Sequence, residues 1–366
     1  MKKQVLQILS FCLAVLLTVG LTSCGKKGTD KMLDVTAPDA GQAEEAEVTE
    51  EEEQPQAGLN PLTGLPGYDT EKYKDQKLIG VVVENHPGAR PQWSMNTPDV
   101  IFEYEVEGGI SRMLWLYANL DEIPDRLGPV RSMRHDIVEL ARGYDLFFIH
   151  CGGSKFAWEK VKTYNGTLAE IDGGYHPSLF YRDTTRNTAI EHRLLLLGNA
   201  LRVGVEKLKL DMTTDSEHQH IFRFEKEEDA FYPGDEACNS VHFEYSGDYT
   251  YTFNYNDETS LYEANINGNP RVDDQGVQCA YTNLILLYVD MEDMGTSSGH
   301  QDLKLEKGGK GIYAANGTYE EIKWEKGGDE DMLKLYEPDG EELVLNAGKS
   351  YIGLVRSTQS AKTEIS

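Results

Sequence analysis

The sequence predicts an α+β fold: an α/β subdomain with a mixed sheet and flanking helices, followed by a mostly antiparallel β subdomain. Two observations predict it. In the first half, apolar runs typical of strands alternate with segments of helical spacing, whereas from about residue 215 the segments become short, aromatic and separated by turns. The 20 tyrosines agree with a β-rich half, because aromatic side chains pack well on pleated surfaces.

Residues 1–23 are predicted to be a signal peptide. Lys2 and Lys3 precede an apolar run that ends in Leu-Thr-Ser-Cys at 21–24. This ending resembles a bacterial lipobox, which implies cleavage before Cys24 and acylation of that cysteine, palmitate being a typical chain. Two or more acyl chains anchor a protein stably. The alternative is a transmembrane anchor, for which the apolar run is short. We therefore expect a lipid-anchored protein on the outer face of the cytoplasmic membrane.

Residues 24–57 are predicted to be an acidic, disordered tether. They contain few large apolar residues, and seven glutamates lie within 44–53. The whole chain has a net charge of −27, which argues against nucleic acid as a partner because phosphate binding needs a basic surface.

The α/β subdomain is predicted to span residues 58–210. Residues 78–84 (LIGVVVE) form a continuous apolar run, typical of a buried strand. Further strands are predicted at 99–106, 113–118 and 146–150. Helices are predicted at 132–142, 154–164 and 188–203, with Ser132 and Ser154 as possible N-caps.

The β-rich subdomain is predicted to span residues 211–366. Its predicted strands cover 219–225, 240–245, 249–255, 260–266, 283–289, 311–315, 318–324, 333–336, 343–345 and 351–355. Asn-Gly at 267–268 and 316–317 and Asp-Gly at 339–340 indicate hairpin turns.

Polar side chains gather where the predicted strands of the α/β part end, and such ends form the ligand crevice of open α/β sheets. A Gly-Gly-Ser turn that opens a helix can present N–H groups to an anion, and arginines can clamp a carboxylate or phosphate. The predicted ligand-binding residues are Asn85, Arg90, Arg112, Arg131, Arg134, Gly152, Gly153, Ser154, Arg182 and Arg186. The alternative for the turn is a simple helix start capped by Ser154.

Three residues are candidates for acid–base catalysis: Glu105, Glu107 and His150. Each also has a structural interpretation, the glutamates as ion-pair partners of arginines and His150 as a hydrogen-bonded core histidine. We expect no metal and no cofactor, because the sequence contains no zinc-protease, phosphate-loop or calcium-loop motif. Either Cys151, Cys238 and Cys279 are buried free thiols, or two of them form one disulfide bridge.

Several motifs resemble the YerB-like lipoproteins, a bacterial family with a domain of unknown function. They are NPLTGLP at 60–66, ENHPGARPQ at 84–92, YEVEGGISR at 104–112, GPVRSMR at 128–134 and YDLFFIHCGGS at 144–154. The resemblance implies a two-part fold and an envelope location, and it supplies no activity. The chain departs from the family pattern at Glu191-His192-Arg193, where Pro-His-Asn is expected, and at Ala264, near which an arginine is usual.

Two functions follow from these residues. The first is an envelope lipoprotein that binds an anionic cell-wall ligand, or a wall-remodelling partner protein, through an arginine-lined crevice. The second is a hydrolase or transferase that acts on an envelope polymer. The enzyme requires a carboxylate and His150 to converge on one open site, whereas the binding protein requires only the arginines there.

We predict that Cys24→Ala releases the protein into the medium or leaves it uncleaved, because the acceptor of the lipid is lost. Membrane fractionation and the mass of the mature N-terminus measure this outcome. A processed Cys24→Ala protein that still fractionates with membrane lipid would contradict the lipid anchor.

Overall fold

A mixed sheet of eleven strands forms the middle layer of the structure. The structure is a computed structural model, and it describes residues 58–227 and 229–366. The predicted signal peptide, the acylation of Cys24 and the tether at 24–57 lie outside the described residues. In the described part, no helix is both long and apolar enough to cross a membrane.

The α-helices of the described part are α1 Thr70–Tyr73, α2 His135–Gly143, α3 Lys155–Thr163, α4 Gly198–Leu208 and α5 Ser216–Gln219. Short 3-10 helices cover Pro87–Ala89, Glu107–Gly109, Leu120–Glu122, Pro177–Leu179, Ile190–Arg193, Leu305–Lys307 and Ser357–Lys362. The strands are β1 Ile79–Glu84, β2 Val100–Glu105, β3 Ser111–Tyr117, β4 Phe147–His150, β5 Glu170–Asp172, β6 Phe180–Arg182, β7 Leu194–Leu196, β8 Arg223–Phe224, β9 Glu236–Ala237, β10 Ser240–Ser246, β11 Tyr249–Asn256, β12 Leu261–Ile266, β13 Asn269–Pro270, β14 Ala280–Tyr281, β15 Asn283–Val289, β16 Met291–Asp293, β17 Gln301–Leu303, β18 Gly309–Ala315, β19 Thr318–Glu325, β20 Lys334–Tyr336, β21 Val344–Leu345, β22 Ser350–Arg356 and β23 Glu364–Ile365.

The large sheet has the order β20-β19-β18-β15-β22-β2-β3-β1-β4-β5, and β9 pairs with β19. Strand β22 from the C-terminal part pairs in parallel with β2 from the N-terminal part. The predicted boundary at residues 210 and 211 therefore separates two stretches of sequence whose strands share one sheet.

Two other layers cover the two faces of this sheet. On one face, α2 and α3 contribute to an apolar core with alternate residues of the central strands, such as Val82, Phe102 and Leu114. On the other face, the six-stranded antiparallel sheet of β10–β14 and β23, together with α4, contributes to a second core with Val81 and Trp115. Because successive side chains of a strand point to opposite faces, each central strand serves both cores and is buried throughout.

Most of the predicted elements are confirmed. Strands β1 to β4 lie where the apolar runs predict them, and the side chain of Ser154 caps α3 by accepting the N–H of Ala157. The turns at Asn267-Gly268 and Asn316-Gly317 have positive φ at both residues, which is the conformation that favours Asn-Gly in hairpins.

The predicted helix at 188–203 is wrong. This stretch contains the 3-10 helix Ile190–Arg193, strand β7 and only the start of α4. Leu194–Leu196 pairs with β6, so a tertiary strand pairing overrides the helical spacing of the apolar residues. The predicted strand at 219–225 is likewise reduced to β8, Arg223–Phe224, after helix α5.

A buried carboxylate joins the two sheets. Glu103 on β2 has no exposed surface, and its side chain accepts hydrogen bonds from the Asn85 amide at 2.8 Å and the Ser111 hydroxyl at 2.5 Å. Two tyrosines, Tyr251 of β11 and Tyr351 of β22, donate to it at 3.0 Å. Burial and the nearby negative charge of Glu103 raise the pKa of Tyr351, which keeps that hydroxyl protonated as a donor.

We predict that Glu103→Ala destabilises the fold by about 3–5 kcal/mol, because removing the carboxylate leaves the buried Arg271 guanidinium without its nearby charge and several donors without an acceptor. Urea unfolding of the full-length chain in detergent measures the free energy of unfolding. The matched control is Glu321→Ala, an exposed glutamate of the same sheet that should change stability by less than about 0.5 kcal/mol. Equal effects of the two substitutions would refute the structural role of Glu103.

Candidate functional site

The candidate site lies at one edge of the large sheet. Strands β1, β2, β4, β5, β15 and β22 run in the same direction, because β1 and β2 are both antiparallel to β3 and the others pair in parallel with them. Their carboxyl ends therefore meet at the same edge. Polar residues lie at five of these ends: Glu84, Glu105, His150, Asp172 and Arg356. Strand β3 begins at this edge with Ser111 and Arg112.

Three of the predicted arginines come together at this edge. Arg112 is 2% exposed, and its Nη1 group donates to the carbonyl oxygen of Ser132 at 2.8 Å. Arg134 donates to the same carbonyl at 3.3 Å. Arg131, one residue before Ser132, lies close to Glu84, which is in cross-strand register with Arg112.

Glu84 connects one of these arginines to a histidine. Its carboxylate is 1% exposed, with one oxygen 3.0 Å from Nε of Arg131 and the other 2.9 Å from Nδ1 of His192. The His192 ring stacks on His86 with centroids 4.4 Å apart and planes 7° apart. The peptide N–H of Gly88 donates to Nδ1 of His86 at 3.0 Å.

The two glutamates that the sequence offers as catalytic acids are both ion-paired. Glu105 accepts hydrogen bonds from Arg356 of β22 at 3.1 and 3.3 Å. Glu107 is held in a bidentate pair by Arg134. Burial opposes ionisation of Glu107, but the hydrogen bonds and charge of Arg134 outweigh it and lower the pKa of Glu107 to about 2. Both carboxylates therefore orient arginines.

His150 is fully buried, and both of its ring nitrogens are engaged. Nδ1 lies 2.9 Å from the carbonyl oxygen of Gly152, and Nε2 lies 3.1 Å from the carboxylate of Glu170. The Trp158 ring packs against it edge-on at 5.7 Å. The partner of His150 is thus neither Glu105 nor Glu107, and this geometry matches a hydrogen-bonded core histidine.

The Gly-Gly-Ser turn lies beside the arginines, but its N–H groups are used within the protein. The N–H of Gly152 donates to the Asp172 carboxylate at 2.8 Å, and the N–H of Ser154 donates to the carbonyl of Met133 at 3.2 Å. Gly153 pairs with Met133 in a parallel bridge. The turn therefore fixes the segment that carries Arg131 and Arg134, and the anion-binding role expected of these N–H groups lacks free donors at Gly152 and Ser154.

The remaining predicted ligand-binding residues lie outside the arginine cluster. Asn85 has no exposed surface, and its side-chain oxygen accepts hydrogen bonds from Arg90 and Arg271. Both arginines thus belong to the network around Glu103. Arg182 is exposed and donates to the carbonyl of Ile190, and the Arg186 guanidinium lies 3.2 Å from the centre of the Trp93 ring.

Glu84, His86 and His192 are functional candidates that are not among the residues predicted from the sequence. Two signals were available for them: Glu84 ends the most apolar strand, and His86 stands in the ENHPGARPQ motif. The contact between residues 84 and 192 spans 108 positions and crosses the mispredicted helix, so no local pattern could reveal it.

A second cluster of possible metal ligands contains His135, Asp136 and Asp302. Nε2 of His135 lies 3.3 Å from one oxygen of each carboxylate. Other groups already engage these carboxylates, since the N–H of Leu303 donates to Asp136 and Lys304 pairs with Asp302. The cluster therefore joins α2 to β17, and its geometry gives no reason to assign it a metal.

Two surface grooves lie away from the arginines. One, of about 650 Å³, is lined by residues of β15, β18, β19 and the C-terminal segment, such as Tyr288, Lys310 and Thr363. The other, of about 370 Å³, lies between Glu217 and Lys334. Neither groove contains a residue of the predicted site.

The fold and the edge define a three-layer α+β protein with an arginine-lined polar edge. The chain belongs to the family described as "Protein of unknown function (DUF3048)", whose N-terminal domain matches residues 62–211 and whose C-terminal domain matches residues 241–352. The resemblance to the YerB-like lipoproteins is thereby confirmed.

A similar protein and a similar structure both come from Bacillus subtilis. The chain is 28% identical over 307 residues to the protein of strain 168 described as "Putative lipoprotein YerB", which covers 82% of this chain and 87% of the relative. The crystal structure of YerB protein superposes with a TM-score of 0.69 at 24% identity, covering 84% of this chain and 99% of that chain. It shows the same fold.

We predict that stability falls as the pH rises from about 4 to about 7 because of Asp136. Burial raises the pKa of Asp136 to about 7, and the charge of His135 and the N–H of Leu303 offset this only in part. The folded state then holds a proton that the unfolded state has released, so each pH unit in this window costs at most about 1.4 kcal/mol.

The isosteric variant Asp136→Asn tests this prediction. It should lessen the fall of the free energy of unfolding between pH 4 and 7, to which Asp99 also contributes because burial and the charge of Glu122 raise its pKa to about 8, and it should be more stable than the wild type at pH 8. Glu139 and Asp302 face the same group and stay unchanged in both proteins. An unaltered slope in the variant would show that Asp136 does not titrate in this range.

Proposed function

We propose that this protein is a lipid-anchored protein on the outer face of the cytoplasmic membrane, where it binds an anionic cell-wall ligand at the carboxyl edge of its large sheet. The location rests on the signal and Cys24 in the sequence and on similarity to a protein described as a lipoprotein. The ligand class rests on Arg112 and Arg131, since Arg134 is held by Glu107.

The observation that carries the proposal is a buried guanidinium without a carboxylate. Arg112 forms no ion pair with the described residues, and its Nε has no hydrogen-bond partner. Burial and the neighbouring charge of Arg134 lower the pKa of Arg112 to about 10, so it is still cationic at neutral pH. Its cross-strand neighbour Tyr104 also has a buried hydroxyl without a partner.

A buried guanidinium or hydroxyl lowers the stability of the fold unless it has a hydrogen-bond or ion-pair partner. An unsatisfied buried donor costs about 1–3 kcal/mol, and an uncompensated charge costs more. Glu84 and Glu107 face Arg131 and Arg134, so the three arginines exceed their two ion-paired carboxylates by one positive charge. The exposed Glu191 also lies near Arg131, so a bound carboxylate or phosphate group would take its place beside this charge.

Arg131 gives a ligand access to this charge. Its side chain is 29% exposed, and its two Nη groups donate to no residue of the described part of the chain. A planar guanidinium with two outward N–H pairs is suited to bidentate contact with a carboxylate or phosphate. The ligand should therefore contact Arg131 first and reach toward Arg112.

We predict that inorganic phosphate binds the full-length chain and that Arg131→Ala weakens this binding at least tenfold, because the accessible half of the clamp is lost. Isothermal titration calorimetry measures the affinity. At ten times its Kd, phosphate should add about 1.4 kcal/mol to the stability of the wild type.

Stability must be measured with binding, since Arg131→Ala leaves Glu84 with one partner fewer. Arg131→Lys retains the charge without the fork and should bind with intermediate affinity. Lys310→Ala removes a cation that is 78% exposed on another surface and should bind like the wild type. A folded Arg131→Ala variant with wild-type affinity would overturn the proposal.

A further inference from the structure

We propose that His192 is a general base, positioned by Glu84, that activates water for hydrolysis of a carboxylic ester on an anionic compound. The inference deepens the proposed function, because it assigns the ligand of Arg131 to a chemical class and gives the same edge a reaction. This catalytic site differs from the one that the sequence predicts. Glu105, Glu107 and His150, the three predicted acid–base residues, have no part in it.

The contacts of Glu84 fix the tautomer of His192. The carboxylate can only accept hydrogen bonds, so the ring nitrogen 2.9 Å away, Nδ1, must carry a proton. In the neutral ring Nε2 then carries the lone pair. Nε2 forms no hydrogen bond with the described residues, and the residue as a whole is 8% exposed, so Nε2 is the ring nitrogen left to accept a proton.

Arg131 holds the other oxygen of Glu84. Its Nε lies 3.0 Å from that oxygen in an ion pair without hydrogen-bond geometry, so the carboxylate lies between a guanidinium and an imidazole. A carboxylate placed in this way can stabilise the imidazolium that forms when His192 accepts a proton. Glu84 is thus a positioning residue, and His192 is the group that would touch the reacting water.

His86 supplies a donor beside this base. Its Nδ1 accepts the N–H of Gly88, so its own proton is on Nε2. Burial and the neighbouring His192 lower the pKa of His86, which favours the neutral form at neutral pH. Gly88 permits the stacking, because a Cβ there would come within 2.9 Å of His192 and 3.0 Å of Thr188.

The reaction balances without any further reactant. His192 Nε2 takes a proton from water while the water oxygen forms a bond to the acyl carbon. The tetrahedral intermediate then breaks its bond to the ester oxygen, which takes the proton from His192 as it leaves. The products are a carboxylic acid and an alcohol.

The stacking of the two rings favours an acyl carbon over phosphorus. In-line displacement at phosphorus places the base and the acid on opposite sides of the reacting atom. Rings whose centroids are 4.4 Å apart leave no room for a substrate atom between them. Addition and elimination at an acyl carbon can use one histidine for both proton transfers.

The exposed Glu191 also lies near Arg131 and both histidines, and it would have to turn toward solvent to admit an anion.

The test uses two chromogenic esters and the full-length chain in detergent. The wild type should hydrolyse mono-(4-nitrophenyl) succinate with a higher kcat/KM than the neutral 4-nitrophenyl acetate, because Arg131 attracts the free carboxylate. His192→Gln and Glu84→Gln should each lower kcat/KM for the succinate ester by about 10²- to 10⁴-fold. Unfolding curves of each variant are recorded to confirm folding.

The matched control is His218→Gln. His218 also pairs through Nδ1 with a carboxylate, that of Asp215 at 2.6 Å, but at a half-buried position that lines another groove. This variant should hydrolyse both esters as fast as the wild type. A wild type without hydrolysis of either ester, or a folded His192→Gln variant with the wild-type rate, overturns the inference.

Nitrogen-15 NMR of the wild type gives a test that needs no variant. The neutral form of the His192 ring must show a protonated Nδ1 and an unprotonated Nε2, and Glu84→Gln should remove this preference. The opposite tautomer overturns the inference.

Arg131-dependent phosphate binding without ester hydrolysis would refute the role of His192 as a general base and leave the anion-binding site standing. His192-dependent hydrolysis of both esters at equal rates, without phosphate binding, would refute the anion site.

Discussion

The arrangement of this protein depends on one buried carboxylate, that of Glu103, between its two sheets. A charge without exposed surface is tolerated only when donors surround it, and Glu103 accepts hydrogen bonds from four segments of the chain. Asn85 follows β1, Ser111 begins β3, and Tyr251 and Tyr351 belong to β11 and β22. The antiparallel sheet can therefore pack on the large sheet in only one register that satisfies this group.

The same network positions the candidate site through the alternation of side chains in a strand. The side chains of Asn85, Glu103 and Ser111 belong to this hydrogen-bond network. Their chain neighbours Glu84, Tyr104 and Arg112 are in cross-strand register with one another and point to the opposite face. Ordering the network thus orders the arginine cluster on the other side of the same three strands.

Electrostatics distinguishes the arginines of the edge from one another. Arg134 and Arg356 are each held by a glutamate and serve the structure. Arg112 is buried without a carboxylate, and Arg131 shares Glu84 with a histidine while exposing its Nη groups. The net positive charge is thus local, on a chain whose net charge is −27. An acidic protein with this one cationic edge can attract an anion there while repelling polyanions elsewhere.

The sequence by itself determined the α+β class, the apolar strands β1 to β4, the cap of α3 by Ser154 and the family. These features depend on local periodicity, on turn chemistry and on motifs that are continuous in the chain. It also predicted that Arg112, Arg131 and Arg134 would gather, because strand ends of an α/β sheet meet at one edge. Only the tertiary structure decided which carboxylate faces which cation. Glu105 meets Arg356 across 251 positions and Glu84 meets His192 across 108. Such pairings arise from the packing of distant segments, which side-chain periodicity does not encode.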